Sequence, residues 1–130
     1  MLVTASEDNS VTLWDAASGS ALQELIGHTK GIFQACFNSD ASKVGSSSRD
    51  GSARIWNAAT GECLQTLNGH QHYVRCCCFS EDGNKVITVS DDRTVKVWDS
   101  YTGEELRTLS GHYGTVFSVA YRPSTAGSYI

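Results

Sequence analysis

The fold is decided by one stretch of sequence, SDDRTVKVWD at residues 90–99. Its tryptophan is one of three in the chain, and these three are spaced 42 residues apart. The same spacing relates glycine-histidine pairs, serines, aspartates and a second group of glycines. The recurring positions are Trp14, Trp56 and Trp98; Gly27-His28, Gly69-His70 and Gly111-His112; Ser6, Ser48 and Ser90; Asp8, Asp50 and Asp92; and Gly19, Gly61 and Gly103. Because five features recur in one register, the chain is a tandem array of 42-residue repeats.

Each repeat predicts four short strands separated by polar turns, many of which contain glycine. Residues 95–98 (VKVW) alternate in part between apolar and polar side chains, as strands do. The predicted strands are 11–14, 53–56 and 95–98; 21–25, 63–67 and 105–109; 32–37, 74–79 and 116–121; and, within the fourth set, 85–90. Four strands in 42 residues leave little room for helix, so the sequence predicts an all-β fold of antiparallel sheets.

Several of these repeated motifs resemble those of the WD40 family. The resemblance is carried by Trp14-Asp15 and Trp98-Asp99, by the glycine-histidine pairs, and by the whole of residues 90–99. It covers essentially the whole chain, although Trp56-Asn57 departs from the tryptophan-aspartate pair. The resemblance implies a β-propeller, in which each blade is a four-stranded antiparallel sheet around a central channel.

The 42-residue frame divides a single WD40-repeat region, residues 1–130, into blades. Residues 1–26 make a partial blade, 27–68 and 69–110 make two blades, and 111–130 start the next. Residues 2–6 are expected to be the second strand of the first blade, and Tyr129-Ile130 the start of the same strand three repeats later. Propellers close with about 4–8 blades, so about three blades form an incomplete ring. We expect either a piece of a longer propeller or a homodimer that closes the ring, and we favour the first.

The recurring histidine, serine and aspartate invite comparison with a hydrolase, in which such side chains form one catalytic triad. Here the set recurs together with a tryptophan, and the Gly-x-Ser-x-Gly motif of hydrolases is absent from the sequence. The resemblance implies instead a structural tetrad in each blade, whose hydrogen bonds satisfy buried polar groups. The members are His28, Ser48, Asp50 and Trp56; His70, Ser90, Asp92 and Trp98; Ser6, Asp8 and Trp14 in the first repeat; and His112 in the last. We therefore expect no enzyme activity.

A metal site is another alternative, because His70, His72 and the run Cys76-Cys77-Cys78 lie within nine residues. Zinc sites use ligand pairs at Cys-x(2–4)-Cys or His-x(3–5)-His spacing, which this segment lacks. Cys36 stands at the position of Cys78 one repeat earlier, which favours thiols that pack in a core. We predict free thiols in a reducing cytosol, no metal and no cofactor.

Charge and hydropathy exclude two classes of partner. Fourteen acidic against ten basic residues give a net charge of −4, so we expect no binding to nucleic acid. No apolar run approaches the roughly 18 residues of a membrane-spanning helix, and no secretory signal is recognisable. These observations predict a cytoplasmic protein, with the nucleus as the alternative, that does not associate with membranes.

The resemblance implies a scaffold that binds other proteins or peptides on the narrow face of the ring. Three positions in each blade belong to that face: Glu7, Arg49 and Asp91; Gly31, Tyr73 and Thr115; and Phe33, Arg75 and Phe117. Tyr73, Arg49 and Arg75 are the best anchors, because tyrosine and arginine are enriched in binding hot spots. The alternative for Phe33 and Phe117 is ordinary packing. Two further functions stay open: an enzyme by analogy of fold alone, and a truncated fragment without independent activity.

Overall fold

The computed structural model describes residues 1–122, which form eleven β-strands and no helix. The strands are β1 (Leu2–Ala5), β2 (Ser10–Trp14), β3 (Ala21–Ile26), β4 (Ile32–Phe37), β5 (Lys43–Ser48), β6 (Ser52–Asn57), β7 (Cys63–Asn68), β8 (Val74–Phe79), β9 (Lys85–Ser90), β10 (Val95–Asp99) and β11 (Glu105–Leu109). In this part of the chain no helix long and apolar enough to cross a bilayer is present.

The strands form three antiparallel sheets in which neighbours in sequence are neighbours in space. Their orders are β1-β2-β3, β4-β5-β6-β7 and β8-β9-β10-β11. We call them the first, second and third blades. The prediction of an all-β fold with four-stranded blades in an incomplete ring is confirmed. β4, β8 and β9 have the bounds that the sequence predicts, and β1 pairs with β2 as the second strand of its blade would.

The turn after each repeated tryptophan explains why the Trp56-Asn57 departure is tolerated. In the first blade the side chain of Asp15 accepts the backbone N–H of Ala17 at 2.9 Å, which closes the turn. Asn57 does the same one repeat later, where its Oδ1 accepts the N–H of Ala59 at 2.9 Å. An amide oxygen and a carboxylate oxygen are equivalent acceptors in this role. The turn then ends on a glycine with φ near the left-handed region, such as Gly61 at 77°.

The core lies between the blades, as layered sheets require. Between the first and second blades the buried side chains are Val11, Leu13, Leu25, Ile32, Val44, Trp56 and Ala58. Between the second and third they are Ala53, Ile55, Leu67, Val74, Cys77, Phe79, Val86 and Trp98. Two amides also tie the blades together: Gln23 Nε2 donates to Ala59 O at 3.0 Å, and Gln65 Nε2 to Tyr101 O at 2.7 Å. The 42-residue repeat is therefore also a repeat of the contacts between blades.

The predicted strand 116–121 is wrong, because these residues are irregular in the structure. A strand exists only where its backbone groups pair with a neighbour, and the described residues contain no strand on the far side of this segment. The segment nonetheless docks at the expected place. Val116 N donates to Ser90 O at 3.1 Å, just as Ile32 N donates to Ser6 O at 3.0 Å two repeats earlier. The prediction for Tyr129-Ile130 lies outside the described residues.

Candidate protein-interaction face

The second blade contains a chain of hydrogen bonds that begins at the tryptophan. Trp56 Nε1 donates to Ser46 Oγ at 2.9 Å, and Ser46 Oγ lies 2.7 Å from His28 Nε2. His28 Nδ1 lies 2.7 Å from Asp50 Oδ2, and Ser52 Oγ donates to the other carboxylate oxygen at 2.6 Å. Because an indole N–H can only donate, Ser46 accepts from it and offers its own hydrogen to Nε2. The imidazole hydrogen is then on Nδ1 and points to Asp50.

The third blade repeats the same arrangement around His70. Trp98 Nε1 donates to Thr88 Oγ1 at 2.8 Å, which lies 2.7 Å from His70 Nε2. His70 Nδ1 lies 2.8 Å from Asp92 Oδ2. Both imidazole nitrogens are thus engaged in each of the two blades. Both histidine side chains are fully buried, so neither imidazole is open to a substrate or a metal ion from solvent.

The hydroxyl that joins histidine and tryptophan is not the one that the sequence predicts. Ser48 and Ser90 were expected in this role, but Ser46 and Thr88 occupy it. Side chains two residues apart in a strand point to the same face, so spacing alone does not distinguish the two candidates. Ser48 Oγ donates to Gly31 O at 3.0 Å, and Ser90 Oγ donates to Tyr73 O at 2.7 Å. These serines therefore hold the loop that precedes the inner strand.

The sets of side chains predicted for the first blade and around His112 are incomplete. In the first blade Trp14 Nε1 donates to Thr4 Oγ1 at 2.9 Å, so Thr4 takes the place predicted for Ser6. Ser6 Oγ accepts the backbone N–H of Asp8 at 3.2 Å. His112 is exposed. Only the second and third blades therefore have the complete set.

Burial and hydrogen bonding set the protonation of these groups. Burial opposes ionisation of Asp50, but the bonds from His28 and Ser52 outweigh it and hold the pKa of Asp50 below its ordinary value. Burial likewise opposes ionisation of Asp92, whose pKa is held low by its hydrogen bonds with Thr94 and His70. Burial lowers the pKa of His70. At neutral pH Asp50 and Asp92 are therefore carboxylates, and His70, the partner of Asp92, is neutral.

The residues predicted for the narrow face come together in pairs across and within blades. Arg49 Nη2 lies 3.3 Å from Glu7 Oε1, although the two residues are 42 positions apart and belong to different blades. Arg75 forms a bidentate ion pair with Asp91, at 2.6 Å through Nε and 2.9 Å through Nη2. The Arg75 and Asp91 side chains are only 28% and 13% exposed, whereas the Glu7 side chain is 84% exposed. The first pair is a weak surface contact and the second a fixed element of the face.

Four of the predicted side chains form a stack of alternating cations and aromatic rings, which we call the Arg75 stack. Its order is Arg49, Phe33, Arg75 and Phe117. The guanidinium carbon of Arg49 lies 5.1 Å from the ring centroid of Phe33, and that of Arg75 lies 4.4 Å from the same ring. Arg75 also lies 5.5 Å from the Phe117 centroid and 5.9 Å from that of Tyr73. Such contacts are attractive because the ring face carries negative charge.

Gly31 and Thr115, two further positions predicted for this face, contribute no side chain to the Arg75 stack. A Cβ atom on Gly31 would lie 3.3 Å from the Cα atom of Glu7, so glycine allows the inner strand to approach that turn closely. Thr115 is half-buried and is not part of the Arg75 stack. Phe117 is 68% exposed, so packing alone does not explain its position.

Sequence reasoning missed two basic residues beside the stack. His72 lies edge-on to Tyr73 with ring centroids 4.7 Å apart. Lys30, Arg49, His72 and Tyr73 line one shallow depression of about 250 Å³. Lys30 and His72 are separated by 42 residues, so the repeat itself was the signal that could have found them. Among residues 1–122, no group of three or more histidine, cysteine or acidic side chains is arranged to hold a metal ion.

Comparison with known proteins identifies the repeat. A family model described as a WD domain, G-beta repeat, matches residues 19–57 and 61–99. Each matched segment contains the last strand of one blade and the first three strands of the next. No curated protein matches the chain.

Proposed function

The chain belongs to the WD40 family, and on that premise we propose that it is a non-catalytic scaffold that binds other proteins or peptides through the Arg75 stack and Tyr73. The family model matches more than half of the chain, and the propeller-like sheets agree with it. WD40 domains generally mediate interactions between proteins. Our proposal is that the Arg75 stack and Tyr73 are the residues that bind the partner.

The Arg75 stack is the observation that supports this face over others. Arginine and aromatic residues carry much of the binding energy in protein interfaces. Here the guanidinium group of Arg75 is already held by Asp91 and by the ring of Phe33, so little side-chain freedom is lost when a partner binds. Phe33, Arg75 and Phe117 come from three consecutive repeats, and the face therefore extends across blades.

The buried hydrogen bonds of the two histidines support the proposal that the chain is not catalytic. Both nitrogens of His28 and of His70 are engaged in hydrogen bonds inside a blade. The same pattern occurs in two blades, which is typical of structure and not of a single active site. The hydroxyls beside the two histidines, those of Ser46 and Thr88, are fully buried and accept hydrogen bonds from tryptophan, so no substrate in solvent reaches them.

We further propose that another blade covers the outer side of the third blade, supplied by a longer propeller, with a second copy of the chain as the alternative. A groove of about 870 Å³ lies there, lined in part by Ile87, Val97 and Leu109. Leu109 is 51% exposed, whereas Leu67, its counterpart in the second blade, is fully buried. The difference arises because the third blade covers Leu67, whereas no described blade covers Leu109, and residues 119–122, which line the same groove, leave it half exposed.

We propose a cytoplasmic location, with the nucleus as the alternative, and no binding to nucleic acid or membranes. The five cysteines are all free thiols, which suits a reducing compartment. The net charge of −4 gives no general attraction to phosphate backbones.

The binding proposal is tested by selecting peptides from a random displayed library against the full chain and measuring their affinity by fluorescence polarisation. Arg75→Ala and Tyr73→Ala should each weaken a selected peptide at least tenfold, about 1.4 kcal/mol. Tyr101→Ala, at an exposed position in the turn after β10 and away from both the Arg75 stack and the groove beside Leu109, is the matched control and should leave the affinity unchanged. Far-UV circular dichroism checks that the variants fold. A library that yields no binder, or binders indifferent to both variants, would refute the proposal.

A further inference from the structure

Two thiols from neighbouring blades meet inside the core. Cys36 is on β4 of the second blade and Cys77 is on β8 of the third, and their Sγ atoms lie 3.9 Å apart. Cys77 is 1% exposed, while Cys36 is only partly buried at the edge of the same core cluster. The contact therefore joins two blades and has one member that solvent can reach.

The space for this contact exists because the repeat is broken at one position. A Cβ atom on Gly45 would lie 3.3 Å from Cys36 Sγ and 3.4 Å from Cys77 Sγ. The counterparts of Gly45 in the neighbouring repeats are Val3 and Ile87, whose branched side chains fill such a space. Gly45 therefore replaces an aliphatic side chain at the place where the two thiols meet.

We propose that Cys36 and Cys77 form a redox modification site, at which a peroxide joins the two thiols into a disulfide between the second and third blades. The sulfurs are in van der Waals contact at 3.9 Å, and a disulfide requires about 2.05 Å. The sulfurs already occupy the place where a Cβ atom on residue 45 would stand, so the remaining approach comes from rotation of the two side chains and movement of their strands. The chemistry of the proposal does not rest on the proposed function.

The reaction is a two-electron oxidation that balances with one hydrogen peroxide. The thiolate of Cys36 attacks one peroxide oxygen, the O–O bond breaks, and the leaving oxygen takes up a proton as the first water. Cys36 is then a sulfenic acid. The sulfur of Cys77 attacks the Cys36 sulfur, the S–O bond breaks, and the hydroxyl leaves with the Cys77 proton as the second water. Two thiols have lost two electrons, and the peroxide has become two waters.

The surroundings of Cys36 and Cys77 give the two thiols different roles in the oxidation. The hydrogen bond from Cys77 lowers the pKa of Cys36, so Cys36 is the better thiolate, and it is also the less buried of the two. The same hydrogen bond, together with burial, raises the pKa of Cys77. Cys77 is therefore protected from direct oxidation and is placed to resolve the sulfenic acid.

The other three cysteines are not arranged for this step. Burial raises the pKa of Cys78 to about 11, which leaves it as an unreactive thiol at neutral pH. Cys76 packs with Val89 and Val116 on the opposite side of the third blade. Cys63 contacts Arg54 Nη1 at 3.7 Å, away from both.

The disulfide would fix the separation of β4 and β8, which carry two members of the Arg75 stack. Phe33 is on β4 with Cys36, and Arg75 is on β8 with Cys77. Oxidation would therefore hold Phe33 and Arg75 at a constant distance, which makes the site a means of redox control over the face. This consequence, unlike the chemistry, rests on the proposed function.

The experiment treats the folded full chain with hydrogen peroxide, blocks the remaining thiols with iodoacetamide and identifies tryptic peptides by mass spectrometry. Cys36 falls in the peptide 31–43 and Cys77 in the peptide 76–85, while Cys63 falls in neither. We expect a cross-linked pair of 31–43 and 76–85, two hydrogen masses lighter than the sum and at least tenfold more abundant than any other cysteine pair. Dithiothreitol should reverse it.

Single-residue variants distinguish the cysteines within the peptide 76–85. Cys36→Ser and Cys77→Ser should abolish the cross-link, while Cys76→Ser and Cys78→Ser, the matched controls, should retain it. A cross-link that persists in Cys77→Ser, or folded wild-type chain that keeps five free thiols after peroxide, would overturn the proposal. Far-UV circular dichroism identifies any variant that does not fold, and fragment-ion masses of the wild-type cross-linked pair then decide whether Cys77 is the linked residue within 76–85.

Discussion

Arg75 and Phe33 are in contact across two blades, with the guanidinium carbon 4.4 Å from the ring centroid, although they occupy equivalent positions 42 residues apart. One repeat has placed an aromatic ring and the next a cation at the same point of the inner strand. Because these strands are neighbours, the repeat brings unlike side chains together instead of duplicates. A face with a specific composition is built in this way from nearly identical blades.

Asp91 is expected to set the binding strength of this face through Arg75. In Asp91→Asn the bidentate ion pair is lost while the shape of the side chain is kept, so Arg75 becomes less fixed. We expect a selected peptide to bind about 3–10-fold more weakly, a smaller loss than with Arg75→Ala. Fluorescence polarisation measures the affinity, with the exposed Glu81→Gln as control. Equal affinity of Asp91→Asn and wild type would show that Arg75 does not depend on its partner.

Thr88, and not Ser90, is expected to hold the buried hydrogen bonds of the third blade. Thr88→Val leaves Trp98 Nε1 and His70 Nε2 without partners in a buried site, which costs about 1–3 kcal/mol for each group. Thr88→Ser keeps the hydroxyl and should lose much less. Urea unfolding followed by tryptophan fluorescence gives the free energy of unfolding. The structural assignment is contradicted if the valine and serine variants are equally stable.

The stability of the chain is expected to fall between pH 7 and pH 5. Burial lowers the pKa of His70 below 6.5, so the unfolded chain takes up a proton in this range that the folded chain does not. Below about pH 4 the lowered pKa values of Asp50 and Asp92 act in the same direction, because their carboxylates stay ionised only in the folded state. Urea midpoints at pH 7, 6 and 5 measure the first effect. His70→Gln should flatten it, and a midpoint that is constant or higher at pH 5 would rule it out.

Leu67 and Leu109 provide a matched pair that tests whether another blade covers the third. Leu67 is fully buried and Leu109 is 51% exposed. Leu67→Ala should cost about 2–5 kcal/mol of unfolding free energy, whereas Leu109→Ala should cost less than about 1 kcal/mol in the isolated chain. In a longer propeller the two costs should become similar.

Light scattering over a concentration series gives the mass of the species in which the Leu67 and Leu109 variants are compared. A folded species near twice the 14.0 kDa mass of the chain, in which Leu109→Ala is as costly as Leu67→Ala, would show that a second copy covers the groove. A monomer in which the two costs differ would favour the longer propeller.

The sequence by itself determined the repeat, the antiparallel blades and, within residues 1–122, every predicted strand except 116–121. Residues 32–37, 74–79 and 85–90 are strands with the predicted bounds, because a 42-residue unit with regular turns leaves each strand little freedom of position. The sequence also predicted that five side chains share one face: Glu7, Phe33, Arg49, Arg75 and Asp91. This was possible because equivalent positions in equivalent repeats occupy equivalent places in the fold.

Only the tertiary structure decided which side chains contact one another. Ser46 and Ser48 point to the same face of one strand, so the distance to Trp56 and His28, and not the spacing, selects Ser46. Residues 116–121 are irregular because no described strand pairs with them. The presence of such a partner cannot be read from the local pattern of apolar and polar residues. Cys36 and Cys77 are 41 residues apart, one short of the repeat, and their sulfurs meet in the place that a side chain at Gly45 would occupy. Contacts between blades depend on the volume of three or more side chains at once, and a one-dimensional repeat does not encode that volume.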